Sequence, residues 1–169
     1  MNDKPSRYQG LLYRALNPVW SRKPLSGEGA AQFGGRFTRR GVAALYTSLS
    51  PETALREANQ AGTLQPTTLV AYRADIAPIF DARQADGLEP YGLTPRQLAD
   101  PAWRQRMLGG ERVPTQDLAA RLCEQGFVGL ICPSYARGAP GDAANLVLWR
   151  WDGMLEVVDD EDRLGRLHS

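Results

Sequence analysis

Residues 33–57 read FGGRFTRRGVAALYTSLSPETALRE, and no other stretch of the chain says as much about its fold and function. Local patterns predict three successive elements here: a Gly-rich loop that carries Arg36, an apolar strand that carries Tyr46 and a helix that carries Glu57. Because the three elements are consecutive, their side chains can approach one another. A cation, a flat aromatic ring and a carboxylate in one place suit an anionic, aromatic ligand.

Outside this stretch, hydrophobic periodicity predicts short strands and helices that are separated by turns containing Gly or Pro. Ser50 and Pro51 mark a helix start, since Ser accepts hydrogen bonds from free N–H groups and Pro fits the first turn. That helix is expected to bury Ala54, Leu55 and Ala58. The predicted strands cover 10–16, 42–48, 67–74, 127–132 and 145–151, the helices 51–60, 100–108 and 115–125 with a capping box at Thr94, and the loops 17–41 and 81–92.

This order of elements predicts a mixed α/β fold in a single domain, without the regular alternation of a doubly wound sheet. The predicted organisation is a flexible N-terminus over residues 1–9, the domain over residues 10–153 and an acidic C-terminal tail over residues 154–169. No Gly-rich dinucleotide motif follows a strand, and no phosphate-binding P-loop motif occurs.

The composition of the 169 residues excludes several classes of protein. Hydrophobic residues make up 43%, which is too many for a disordered chain, and the net charge of +1 argues against a dedicated nucleic-acid binder. No apolar run is long enough to span a membrane, and the N-terminus lacks the apolar core of a signal peptide, so a cytoplasmic protein is expected. Cys123 and Cys132 are expected to be buried, reduced thiols. With His168 as the only histidine, neither a metal site nor a Ser-His-Asp triad is expected.

Each candidate site residue has an ordinary structural explanation when it is taken alone. Arg36 suits a phosphate but also an exposed turn, Tyr46 suits a stacking platform but also the core, and Glu57 suits a cleft but also a helix surface. Ser134, just past a strand, is a hydrogen-bonding candidate or a turn residue. Arg14, inside an apolar strand, needs an ion-pair partner or a ligand.

Taken together, these residues resemble the RES domain family, the toxins of Res–Xre type toxin–antitoxin modules. Several motifs carry the resemblance from about residue 13 to residue 151: Tyr13-Arg14-Ala15, Ser26-Gly27-Glu28-Gly29-Ala30, Gly34-Gly35-Arg36-Phe37, Leu45-Tyr46-Thr47-Ser48, Ala54-Leu55-Arg56-Glu57 and Pro133-Ser134. The family commonly has Trp and Asn after Gly-Gly-Arg, where this chain has Phe37 and Thr38. Phe37 keeps the aromatic character, whereas Thr38 leaves the role of the Asn side chain open.

The resemblance implies an ADP-ribosyltransferase-like split β-sheet core with flanking helices, and an enzyme that consumes NAD+ without a metal. It assigns Glu57, Tyr46 and Arg36 as catalytic residues. Arg36 would bind the phosphate or ribose side of NAD+, Tyr46 would flank the nicotinamide and Glu57 would be the catalytic glutamate. The residues that it implies for cofactor binding are Arg14, Arg36, Tyr46, Thr47, Ser48 and Ser134.

This chemistry is consistent with a site that has one carboxylate and no histidine. Cleavage of the nicotinamide–ribose bond develops positive charge on the ribose, which a carboxylate can stabilise. Nicotinamide is cationic in NAD+ before it leaves, so no general acid is needed. The acceptor of ADP-ribose stays open: water, inorganic phosphate or a protein side chain would make the enzyme a glycohydrolase, a phosphorylase or a mono-ADP-ribosyltransferase that modifies a host protein. A domain that binds a nucleotide or a partner without catalysis is a further alternative.

The resemblance also implies a cognate antitoxin that carries an Xre-like DNA-binding domain. DNA would then be bound by the antitoxin, which is consistent with the near-neutral charge of this chain. The acidic residues between Asp159 and Asp162 are expected to be solvated or to contact a partner.

Overall fold

The computed structural model describes residues 5–60 and 63–165 of the chain. Within these ranges one mixed β-sheet is flanked by short helices, so the predicted single-domain α/β fold with a sheet core is confirmed. The strands are β1 (Ser6–Leu16), β2 (Leu45–Ser48), β3 (Thr68–Asp81), β4 (Gly129–Pro133), β5 (Ala144–Leu148) and β6 (Leu155–Val157). The α-helices are α1 (Glu28–Phe33), α2 (Pro51–Ala58), α3 (Ala85–Leu88), α4 (Pro95–Leu98), α5 (Trp103–Leu108) and α6 (Pro114–Glu124), with short 3-10 turns at Pro18–Trp20 and Glu89–Tyr91.

The six strands form one continuous sheet, because β1 pairs with both β2 and β3, and two groups of three strands make up its two layers. β1 and β3 pair antiparallel over nearly the whole of β1, and β6 extends this layer along the other edge of β3. β2, β5 and β4 form the second layer, also antiparallel. The layers are joined where Tyr13 of β1 faces Ser48 of β2 and where the end of β3 runs parallel to β4.

The second layer separates two hydrophobic cores, because successive side chains of a strand point to opposite faces. Leu146 of β5 belongs to one core and its neighbour Val147 to the other, and both are fully buried. Burying one such aliphatic side chain stabilises the fold by roughly 1.5–3 kcal/mol. The first core lies between the two layers and includes Tyr72 of β3, while the second is covered by α4 and α6 through Leu98 and Leu118.

Three predicted boundaries are wrong at the ends of the chain and in its long loop. β1 begins at Ser6, so residues 6–9 belong to the sheet and not to a flexible N-terminus; residues 1–4 lie outside the described residues. The predicted loop over residues 17–41 contains α1. The predicted tail contributes β6 to the sheet, and Asp160 pairs with Arg73 of β3, so part of the tail is integral to the fold.

Strand β3 also differs from its prediction, since it continues to Asp81 instead of ending near Ala74. Asp75 is compatible with the strand because Arg7 of β1 donates two hydrogen bonds of 2.7 Å to its carboxylate across the layer. Ile76 is fully buried next to it. Across residues 5–60 and 63–165, no helix has the length and apolar character that a bilayer crossing requires.

Candidate active site

Glu57 lies in the last turn of α2, which begins where the sequence predicts. Ser50 is the N-cap, with its hydroxyl accepting a hydrogen bond from the Thr53 backbone N–H at 3.1 Å, and Pro51 is the first helical residue. Thr53 and Ala54 form the buried side of the helix, whereas Leu55 and Ala58, predicted to be buried, are exposed. Glu57 follows Thr53 by one turn, so its half-buried carboxylate points towards the sheet.

Two side chains from neighbouring strands hold this carboxylate. The Ser134 hydroxyl donates to Glu57 Oε1 at 2.6 Å, and Asn145 Nδ2 donates to the same oxygen at 2.5 Å. Gln60 donates to the second oxygen, Oε2, at 2.5 Å. Ser134 lies just past β4 and Asn145 lies in β5, so the contacts join α2 to the end of the second layer.

Tyr46 lies in β2, on the same face of the sheet as the second core. Its hydroxyl accepts a hydrogen bond from the Phe37 backbone N–H at 3.1 Å and is 2.5 Å from the Thr38 hydroxyl. Burial raises the pKa of Tyr46 to about 12, so the phenol is neutral at physiological pH. The contact with the Thr38 hydroxyl helps to hold the Tyr46 phenol oxygen in place.

Arg36 projects from the turn that Gly35 and Thr38 close through a β-bridge. Its Nη1 donates to the carbonyl oxygens of Leu98 and Asp100 at 3.0 and 2.7 Å. The guanidinium carbon is 4.6 Å from the centre of the Tyr135 ring, which is a cation–π distance. Burial lowers the pKa of Arg36, but a guanidinium stays charged in proteins.

Two side chains of α6 hold the turn that carries Arg36. Thr115 donates its hydroxyl to the Arg36 carbonyl oxygen at 2.5 Å. Gln116 donates to the carbonyl oxygens of Gly35 and Thr38 at 2.9 and 3.1 Å, and its side chain is buried. These contacts leave the turn little freedom, so Arg36 is presented in a defined orientation.

Contacts link Arg36, Tyr46 and Glu57 into one region: Arg36 stacks on Tyr135, which follows the Glu57 partner Ser134, and the turn of Arg36 bonds the Tyr46 hydroxyl. The pKa of Cys132, a buried thiol of β4, is raised to about 12 by burial and by the Glu57 carboxylate, while Arg36 opposes the rise. Arg36 in turn interacts with Glu57 and with Tyr46. Cys132 is therefore a protonated thiol at neutral pH and no candidate nucleophile.

The structure places four of the seven predicted site residues together, and the other three have structural partners. Arg36, Tyr46, Glu57 and Ser134 surround one region, as described above. The Thr47 hydroxyl donates to the Leu146 carbonyl oxygen at 2.7 Å on the opposite face of β2, and only 1% of Thr47 is exposed.

Arg14 and Ser48, the remaining predicted cofactor contacts, have structural partners. Arg14 Nη1 donates to the Pro24 carbonyl oxygen at 3.0 Å, and the Tyr72 hydroxyl donates to the same oxygen at 2.7 Å. Arg14 thus helps to fasten the loop after β1 to the first core. Ser48 donates to Asn145 Oδ1 at 2.7 Å.

Sequence reasoning missed two residues of the site. Asn145 begins an apolar strand pattern, and its polarity at that place is the only local sign of a special role. Tyr135 directly follows Ser134, and an aromatic next to a candidate site residue was the available signal. The exposure of Cys123 was also predicted wrongly: it lies on the outer side of α6, while Cys132 is buried as expected, and both are free thiols.

A cavity of about 450 Å³ lies next to this region and not within it. It is bounded by the start of α2 and by the segment before β5, and none of the predicted site residues lines it. Among the described residues, no group of three or more His, Cys, Asp or Glu side chains is placed to hold a metal ion.

Replacing Gly35 by Ala tests how tightly the turn packs against Tyr46. A Cβ at position 35 would clash with the Tyr46 hydroxyl and lie 2.8 Å from the Thr38 hydroxyl oxygen. Overpacking of this kind costs about 1–3 kcal/mol, so we expect Gly35→Ala to lower the free energy of unfolding by that amount in chemical denaturation. Gly29→Ala is the matched control, because a Cβ there meets nothing within 4 Å. Equal stability of the two variants would contradict the described packing.

Comparison with known proteins gives two findings. The family model of the RES domain matches residues 11–166. A chain in the crystal structure of the M. tuberculosis MbcT-MbcA toxin-antitoxin complex is similar with a TM-score of 0.63 at 20% sequence identity, over 92% of this chain and 84% of that chain. At this identity the likeness concerns the fold. The comparison with curated proteins finds no match.

Proposed function

This chain belongs to the RES domain family, and from that premise we propose that it is the toxin of a bacterial toxin–antitoxin pair that cleaves the nicotinamide–ribose bond of NAD+. One observation carries the proposal: the Glu57 carboxylate, fixed by Ser134 and Asn145, shares a region with Arg36 and Tyr46. A carboxylate beside a cation and an aromatic ring matches the needs of this reaction.

Glu57 would stabilise the positive charge that develops on the ribose as the bond breaks. Its Oε1 accepts two hydrogen bonds from neutral donors, which hold the carboxylate in one orientation. Oε2 is the oxygen that faces exposed Gln60, and it would be the one nearer to the ribose. NAD+ supplies the cationic leaving group, so Glu57 has no need of a proton-donating partner.

Arg36, Tyr46 and Tyr135 have the chemistry that NAD+ requires. Within the described part of the chain, Arg36 donates to carbonyl oxygens through Nη1 alone, and its other N–H donors would serve a phosphate or ribose oxygen. Tyr46 presents a neutral ring that suits a pyridinium face. Tyr135 stacks on Arg36 and would keep its plane fixed during binding.

The proposed partner is a cognate antitoxin with an Xre-like DNA-binding domain. The structure of similar fold belongs to a toxin-antitoxin complex, which supports the idea that this chain also has an antitoxin. The net charge of +1 favours a chain that leaves DNA binding to its partner. NAD+ is abundant in the cytoplasm, and we place the toxin there.

Mono-ADP-ribosylation of a host protein is the second candidate function. It is favoured by the position of Glu57 at the C-terminal end of α2, where Asn59 is half-buried and Gln60 is exposed. A protein side chain could therefore approach the carboxylate from solvent. Both functions share the cleavage step and differ only in the acceptor.

Product analysis tests the proposal and separates the candidates. Purified protein is incubated with isotopically labelled NAD+ in buffer alone, with inorganic phosphate and with bacterial lysate, and every ADP-ribose product is identified by mass. We expect nicotinamide release, with free or phosphorylated ADP-ribose as the small-molecule product. Label on a discrete protein band would instead establish the transferase, and the absence of nicotinamide release in all three conditions would refute NAD+ cleavage.

A further inference from the structure

We propose that Asn145 is a positioning residue of this enzyme and that Ser48 acts through it. The inference rests on the proposed function, because it concerns how the same carboxylate is held for the reaction. The observation that carries it is a chain of hydrogen bonds, from the Ser48 hydroxyl to Asn145 Oδ1 at 2.7 Å and from Asn145 Nδ2 to Glu57 Oε1 at 2.5 Å.

The first step concerns the orientation of the Asn145 amide. Its NH₂ group faces Glu57, and its oxygen accepts from the Ser48 hydroxyl on the other side. A flipped amide would set Oδ1 against the carboxylate, which also carries only acceptors when it is ionised. The acceptor-only carboxylate thus selects the amide orientation, and the Ser48 hydroxyl stabilises it by donating to Oδ1.

The second step concerns the rigidity of this arrangement. Ser48 of β2 and Asn145 of β5 are directly opposite each other in the antiparallel ladder, so backbone pairing sets their separation. Only 3% of Ser48 is exposed. It is too buried to reach a ligand, which favours an indirect role over the cofactor contact that the resemblance implies.

The third step concerns Glu57 itself. Asn145 and Ser134 approach Oε1 from two different segments, so this oxygen is anchored at two points. Rotation of the carboxylate is restricted, and Oε2 stays directed to the outer side where Gln60 lies. Removing Asn145 would leave Ser134 as a single anchor, around which the carboxylate could turn away from the ribose.

Steady-state kinetics of nicotinamide release provide the main test. We expect Asn145→Ala to lower kcat about tenfold or more, in line with the loss of a hydrogen bond to a charged group, while KM changes less than about twofold. Asn145→Asp keeps the shape and the Ser48 contact but removes the donor, and we expect at least the same loss. Ser48→Ala should lower kcat less, and the double variant Ser48→Ala/Asn145→Ala should be no worse than Asn145→Ala alone.

Controls distinguish failure of this inference from failure of the proposed function. Asn17→Ala deletes an exposed amide that caps a 3-10 turn, and we expect it to leave kcat unchanged. An unchanged kcat in Asn145→Ala would overturn the inference while NAD+ cleavage stands. So would a raised KM in Ser48→Ala together with a double variant whose loss of kcat is the product of the two single losses.

A readout without turnover covers the case in which wild-type protein releases no nicotinamide. Unfolding free energies of Asn145→Ala, Glu57→Gln and the double variant form a cycle that measures their coupling. We expect clear coupling between the two residues. Additive changes in unfolding free energy would refute the coupling of Asn145 to Glu57, with or without detectable enzyme activity.

Discussion

Replacing Glu57 by Gln is expected to reduce nicotinamide release at least about a hundredfold while the protein stays folded. The amide has nearly the shape of the carboxylate, and its oxygen can still accept the hydrogen bonds from Ser134 and Asn145. What the variant loses is the negative charge. If Glu57 stabilises the positive charge on the ribose, this loss acts on the transition state and falls on kcat more than on KM.

The measurement is a nicotinamide-release assay at saturating NAD+, with circular dichroism and thermal unfolding to confirm that the variant is folded. Glu124→Gln is the control, since Glu124 is an exposed helical glutamate at the end of α6. We expect Glu124→Gln to retain wild-type kcat. Near-wild-type activity in Glu57→Gln would exclude Glu57 as the catalytic glutamate and with it the proposed mechanism.

The local part of the site could be predicted from the sequence. Capping signals at Ser50 and Pro51 set the start of α2, and the helical period then determines that Glu57 shares a face with Thr53. Gly35 next to Arg36 indicated a tight turn, which the structure contains as a β-bridge. Such signals lie within a few residues of the side chain that they position, so a single sequence reveals them.

Contacts between distant segments could not be predicted in the same way. Asn145 reaches Glu57 across 88 positions, and Ser134 reaches it across 77. Which face of β2 points to the site depends on its pairing with β5. The resemblance implies Thr47 as a cofactor contact, whereas the pairing buries its side chain on the side of β2 opposite Tyr46. A shift of one position in a strand exchanges its two faces.

The same limit explains the errors in the fold. Leu55 was predicted to be buried from its hydrophobicity, but α2 turns its more polar side, with Thr53, towards the sheet. Strand β6 has only three residues and is stabilised by its pairing with β3. Neither feature follows from local propensity, since tertiary contacts decide both.

Arg36→Lys is expected to raise KM for NAD+ and to lower kcat/KM by about ten- to a hundredfold, although the charge is kept. A guanidinium is planar and donates in several directions, which allows Arg36 to bond the Leu98 and Asp100 carbonyl oxygens and to stack on Tyr135 at once. The ammonium of Lys is a compact charge that cannot keep all three contacts. If Arg36 binds a phosphate through its other donors, the loss falls mainly on binding.

The same variant should lose stability, because the carbonyl oxygens of Leu98, at the end of α4, and of Asp100 lose the guanidinium donor. Each hydrogen bond to a charged group contributes about 1.5–3 kcal/mol, and partial hydration of the two part-buried oxygens reduces the loss. We therefore expect the free energy of unfolding to decrease by about 1–3 kcal/mol in chemical denaturation. Arg40→Lys is the control, since Arg40 is an exposed arginine four residues further along the same loop, and it should change neither KM nor stability. An Arg36→Lys protein with wild-type stability and a raised KM would assign Arg36 to ligand binding alone. A loss of stability with an unchanged KM would instead identify Arg36 as a structural residue that lies outside the proposed site.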